Sequence, residues 1–161
     1  MIGILVLTPD DWRLWRGLRR AALAEAPGAF GSTLSEWSGA GDTEQRWRAR
    51  LENVAFNIAL TWNDEPAGMV SATTPGDDGA TELISMWVAP SARGHGLGDA
   101  AVRQVMAWAQ TIQGGSRLVL SVKRHNDWAI RLYQRHGFTD AGPSADDPDE
   151  RLMSIDLRAS P

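Results

Sequence analysis

The chain has 161 residues, 43% hydrophobic and 22% charged, a composition that predicts one globular domain over residues 1–161 around a single core. A formal charge of −4 argues against a phosphate-neutralising nucleic-acid surface, and the absence of Cys removes disulfides, thiolate metal sites and a Cys nucleophile. No apolar run approaches the ~18 residues of a membrane span and no charged, then apolar, leader opens the chain, so the expectation is a cytoplasmic protein without membrane or nucleic-acid partners.

Residues 2–7 read as a strand, and Thr8-Pro9-Asp10-Asp11 starts a helix over residues 10–25. Trp12, Trp15, Leu18 and Ala22 recur on its inner face, with Arg13, Arg16, Arg19 and Arg20 expected on a solvated flank. Pro27, Gly28 and Gly31 end it in a loop that holds Phe30. Asp42 and Gln45 have capping-box spacing ahead of a helix through Leu51 that carries Trp47. Residues 53–62 and 66–73 then read as an antiparallel hairpin around Asn63-Asp64-Glu65.

A third strand of this group is predicted over residues 80–88, with Glu82, Ile84, Met86 and Val88 on one face and Leu83, Ser85 and Trp87 on the other. It runs into the glycine loop at residues 94–98, followed by a helix over 99–112 with Val102, Val105, Ala109 and Ile112 facing inward, and a strand over 117–122. Strand, helix and strand make a parallel crossover. Asn126 caps another helix, Gly137 closes it with Phe138 as an apolar clasp, and residues 151–157 form a last strand after the acidic loop at residues 146–150.

Arg93-Gly94-His95-Gly96-Leu97-Gly98 leaves a strand and opens a helix, so backbone N–H groups converge at the positive end of the helix dipole. Glycines let an anion such as a diphosphate approach the backbone, and Arg93 adds a charge-assisted donor. A Rossmann reading of Gly96-x-Gly98-x-x-Ala101 lacks the acidic ribose partner, because the next strand ends Ser121-Val122-Lys123. A P-loop would need a Lys after the glycines.

The stretch from Glu82 to Phe138 resembles the GNAT superfamily of N-acyltransferases in Val88-Ala89-Pro90, Arg93-x-x-Gly96-x-Gly98 and Asn126-x-x-Ala129-x-x-x-Tyr133-x-x-x-Gly137-Phe138. Phe30 also looks like the family's loop between the first two helices. The resemblance implies an α/β fold with a central twisted mixed sheet, flanked by helices, whose two parallel strands splay to admit the pantetheine of acetyl-CoA. It implies that Met86, Trp87 and Val88 lie along the pantetheine, with backbone pairing from Met86 and Val88. By the same resemblance Arg93, Gly94, His95, Gly96, Leu97 and Gly98 hold the diphosphate, and Asn126 and Ala129 lie against the cofactor. The implied activity is transfer of acetyl from acetyl-CoA to an amine acceptor, in a family where homodimers are common.

Attack on a thioester needs a neutral amine, a stabilised oxyanion and a proton for the leaving thiolate. Tyr133, the one tyrosine in the chain, reads from spacing alone as a core residue, and by the resemblance as the general acid. Glu82 is either a solvated sheet-edge carboxylate or, by the resemblance, the base that takes the amine proton through water. His95, His125 and His136 are scattered and make no metal site, and Trp37 and Trp87 are placed to border the acceptor cleft. A non-catalytic acyl-CoA-binding domain is the alternative reading. The acceptor is shaped by the first two helices, the Phe30 loop and the final hairpin near residues 146–150, none of which carries a diagnostic motif.

Overall fold

A computed structural model describes residues 1–112 and 114–159. In chain order the elements are β1 (Ile2–Val6), α1 (Trp12–Glu25), α2 (Glu44–Asn53), β2 (Phe56–Trp62), β3 (Glu65–Ala72), β4 (Ala80–Val88), α3 (Leu97–Thr111), β5 (Arg117–Lys123), α4 (Asp127–Arg135), β6 (Thr139–Pro143) and β7 (Glu150–Asp156). The seven strands form one sheet in the order β1-β2-β3-β4-β5-β7-β6. Every neighbouring pair is antiparallel except β4 and β5, whose parallel pairing is the predicted crossover through α3.

Side-chain alternation along the central strands separates two apolar layers. Ile58, Leu60, Val70, Leu118, Leu120 and Met153 pack toward α3 and α4 with Val102, Val105, Leu132 and Tyr133. Ala59, Met69 and Trp87 pack on the opposite face with Trp15, Leu18, Ala22, Trp47 and Leu51 of α1 and α2. Burying those apolar faces is what gives helices of 14 and 10 residues their stability, since isolated helices so short are marginal in water. No helix among the described residues is long and apolar enough to cross a membrane.

Four expectations are corrected. Arg19 lies in the core, 8% exposed, rather than on a solvated flank, while Arg16 and Arg20 both bind Asp42. Asp42 is therefore not the cap of α2; it also accepts from Trp47 Nε1, and Thr43 Oγ1 caps the helix by accepting the Arg46 N–H. The short strand β6 carries no apolar alternation, and its exposed sequence ends Gly142-Pro143, which reads as a turn. The fourth concerns β4. Its two predicted faces do not persist along the strand, because the pairing to β3 slips where Met69 meets Trp87 and Ser71 meets Ile84. Ser85 takes φ +57° at that slip, so Leu83 before it and Val88 after it reach the same apolar layer.

Candidate functional site

β4 and β5 pair only where Ala80, Thr81 and Glu82 meet Arg117, Leu118 and Val119. Beyond that point each strand runs on, β4 to Val88 and β5 to Lys123, without pairing to the other. The opening is a cleft walled by Leu83, Ile84, Ser85 and Met86 from β4, by Ser121, Val122 and Lys123 from β5, and by Asn126, Ala129 and Tyr133. Phe30 and Trp128 also line it.

The antiparallel pattern fixes which backbone groups face this cleft. Ala89 N–H donates to Ala67 C=O at 2.7 Å, so in the same register Trp87 turns its polar backbone groups to Met69, and those of Met86 and Val88 point away from β3 toward the gap. Val88 C=O accepts from Arg93 Nε at 3.0 Å, which leaves the Val88 N–H and both Met86 groups along an unpaired strand edge. The bulge at Ser85 produces this arrangement, at a backbone cost of about 1–2 kcal/mol for a non-glycine residue in the left-handed region.

At one end the cleft meets a hollow at the start of α3, lined by Val88, Arg93, Gly94, Gly96, Leu97, Gly98, Asp99, Trp128 and Arg135. Gly94 and Gly96 have φ +83° and +89°, so the turn that aims the loop amides requires glycine at both. The N–H groups of Leu97, Gly98 and Asp99 have no intrahelical acceptor and carry the positive end of the helix dipole. Gly98 serves packing instead: a Cβ there would stand 3.1 Å from Leu132 Cδ2, so its absence lets α3 and α4 approach. His95 is the loop residue that departs, its ring stacked on Trp62 at 4.3 Å and outside the hollow's lining.

Tyr133 is 5% exposed, packed beside Phe138, and presents itself to the cleft from α4. Burial pushes its phenol above the ordinary tyrosine value, so the group is protonated at neutral pH. Asn126 Oδ1 accepts from Ala129 N–H at 3.2 Å, the cap expected from sequence, which holds α4 against the cleft. Gly137 at φ +94° and the bond from Phe138 N–H to Tyr133 C=O close the other end. Glu82 sits at the last paired position of β4, and partial burial, reinforced by the Glu150 charge, holds its carboxyl above the usual range. Lys123 lies between Asp147 at 2.7 Å and Glu150 at 3.2 Å.

The sequence reading brought Met86, Val88, Arg93, Gly94, Gly96, Leu97, Gly98, Asn126, Ala129 and Tyr133 to one continuous surface. Trp87 stands at its margin, its indole donating to Glu25 at 3.0 Å on the α1 side. It missed Trp128, 40% exposed and shared by the cleft and the hollow, and Glu25, which accepts Arg93 Nη2 at 3.2 Å. Arg135, a second cation at the hollow, was missed too. An exposed Trp one residue into a helix is a signal visible in sequence; the long-range Glu25 contact is not.

A mixed sheet whose two parallel strands part beside a glycine-rich helix start defines an α/β protein built to receive an extended ligand ending in an anion. The sequence profile of the Acetyltransferase (GNAT) family matches residues 15–138, and the chain belongs to that family. The mycothiol acetyltransferase of Renibacterium salmoninarum is 28% identical over 142 residues, covering 85% of this chain and 40% of that protein. This chain thus spans less than half the length of that curated relative. Among solved structures, the ribosomal-protein-S5-alanine acetyltransferase from Vibrio fischeri superposes with a TM-score of 0.79 at 16% identity, covering 99% of this chain and 96% of the other. Spermidine N-acetyltransferase from Vibrio cholerae, solved with CoA and spermine, gives 0.75 at 18% identity and covers 98% and 96%. These likenesses show the same fold.

Proposed function

We propose that the protein is an acetyl-CoA-dependent N-acetyltransferase that moves the acetyl group directly to an amine acceptor, with Tyr133 as general acid and Glu82 as base. The observation that carries this reading is the continuity of the unpaired Met86–Val88 edge with the amide-lined hollow at α3, since together they match an amide-bearing arm that ends in a diphosphate. Arg93 and Arg135 supply the cations, and Trp128 covers the junction. Membership of the family supports the activity. The reading places the protein in the cytoplasm, where acetyl-CoA is available.

Bound acetyl-CoA supplies the activated thioester. Glu82 receives the amine proton through water; a Lys-like amine is neutral only about once in 2,500 molecules at pH 7, a deficit of roughly 4.6 kcal/mol that a nearby base offsets. The amine nitrogen then bonds to the carbonyl carbon, and the Val88 N–H, free of sheet pairing, donates to the developing oxyanion. When the C–S bond breaks, Tyr133 gives its proton to the departing sulfur. Burial weakens the phenol as an acid, but it destabilises the thiolate in the same apolar wall as well, so the two proton affinities rise together.

Thermal unfolding with acetyl-CoA, CoA, NAD and ATP at matched concentrations tests the reading. A ligand at 100 times its Kd stabilises by about 2.7 kcal/mol, which in a chain of this length raises Tm by roughly 5–11 °C. A shift with acetyl-CoA and CoA, followed by amine-dependent release of free thiol from acetyl-CoA, supports it. A shift with NAD alone or with nothing refutes it, and CoA binding without thiol release across an amine panel leaves a non-catalytic acyl-CoA-binding domain.

A further inference from the structure

α2 and α4 each carry an arginine in the last turn, Arg50 and Arg135, where a cation faces the negative end of the helix dipole. α1 departs from that pattern, because its last residue is Glu25. Two partners from far along the chain hold the carboxylate there. Trp87 Nε1 donates to Oε2 at 3.0 Å, and Arg93 Nη2 lies 3.2 Å from both oxygens. The indole is fixed, since Trp87 is 7% exposed in the apolar layer that α1 covers. Glu25 and Arg93 themselves keep 33% and 39% of their side chains exposed.

The same guanidinium is tied at a second point, Nε donating to Val88 C=O at 3.0 Å. Nε and Nη2 are thus engaged within the protein, while Nη1 makes no hydrogen bond to a described residue. Trp128 borders the group, its ring centroid 6.0 Å from the guanidinium carbon. Arg93 also lines the hollow at the start of α3, where the amides without an intrahelical acceptor gather. A freely swinging arginine would lose several side-chain torsions on meeting an anion, whereas one held at two points has lost them already. The Glu25 charge opposes an anion, but water screens a carboxylate that is one-third exposed, so orientation outweighs repulsion.

We propose that Glu25 is a positioning residue for the coenzyme: anchored by Trp87, it sets Arg93 in the orientation that meets the diphosphate in the α3 hollow. This rests on the reading of that hollow as the diphosphate site, but its test does not need turnover. CoA is titrated by isothermal calorimetry into the parent, Glu25→Gln, Arg93→Met and the double variant at one ionic strength. Glu25→Gln weakens CoA roughly 3- to 10-fold, the scale of leaving one long side chain to be ordered on binding. In the Arg93→Met background the same substitution changes nothing, because no guanidinium remains to be oriented. Glu25→Ala provides a second reading of the same cycle. Equal losses in both backgrounds mark a carboxylate that acts through the fold and overturn the inference, as does a CoA affinity unchanged or tightened by Glu25→Gln. Full CoA affinity in Arg93→Met overturns it too, while leaving coenzyme binding in place, and a parent that binds no CoA removes the coenzyme reading together with the inference. The expected cycle without acetyl transfer leaves the inference standing and removes the acetyltransferase reading.

Discussion

Replacing Tyr133 by Phe deletes one oxygen and leaves the ring that packs against Phe138 at 5.8 Å and against the layer formed with Ala129 and Leu132. The phenol makes no hydrogen bond to another described residue, so its removal leaves no partner stranded, and the change in stability is close to zero or about 1 kcal/mol favourable. In a chain of this length that is a Tm within about 4 °C of the parent, or slightly above it. If Tyr133 is the acid, as proposed, the loss of its proton lowers kcat by about 100- to 10,000-fold. On the proposed reading acetyl-CoA is carried by backbone groups of β4 and α3, so its binding is retained. Thiol release under saturating acetyl-CoA, with Tm measured on the same preparation, reads both numbers. A Phe variant with full kcat refutes the acid role, and one whose melting temperature collapses shows that the hydroxyl has a structural partner, so that lost activity could not be assigned to chemistry.

Gly96→Ala introduces a Cβ into space, with Ile2 Cδ1 at 3.8 Å, so its cost of about 1–2 kcal/mol is backbone strain at φ +89° alone; a weaker CoA affinity by isothermal titration and a Tm lower by roughly 2–8 °C are expected. If Glu82 takes the amine proton, log kcat/KM rises with slope two against pH below the Glu82 pKa, which is held above the usual carboxylate value by burial and by Glu150, and with slope one between it and the amine pKa. Glu150→Gln moves the lower break to more acidic pH, and an unmoved break excludes the coupling. Arg16 and Trp47 hydrogen bonds, with the Arg16 and Arg20 charges, depress the Asp42 carboxyl in the folded state. Its stabilisation is therefore present above the unfolded value near 3.9 and is lost as pH falls through the lower folded value. The Tm gap between the parent and Asp42→Asn narrows on acidification below about pH 4, and a constant gap contradicts the ion pairs.

The parts of the fold legible in sequence are those governed by local rules. Glycines at 94, 96 and 137 mark positions of positive φ, Asn126 marks a cap, and the apolar spacing of Val102, Val105 and Ala109 marks the buried face of α3. What escaped depends on partners distant in the chain. Asp42 has the composition of a cap, yet two arginines 22 and 26 residues earlier and an indole claim its carboxylate. Arg19 has the spacing of a flank residue, but the Phe30 loop folds over it. The faces of β4 were misread because a strict period of two leaves no room for an inserted residue, and Ser85 has nothing in its side chain that announces φ +57°.

That inserted residue divides one strand into two segments with different neighbours. Ala80, Thr81 and Glu82, before Ser85, keep register with β5, whereas Met86 and Val88, after it, turn their backbone edge to the gap between the two strands. Glu82 therefore lies on the segment paired to β5, and Met86 and Val88 on the segment that is not. A deletion of Ser85 would remove the bulge and set Met86 opposite Val70, with Trp87 still opposite Met69 and Val88 opposite Gly68.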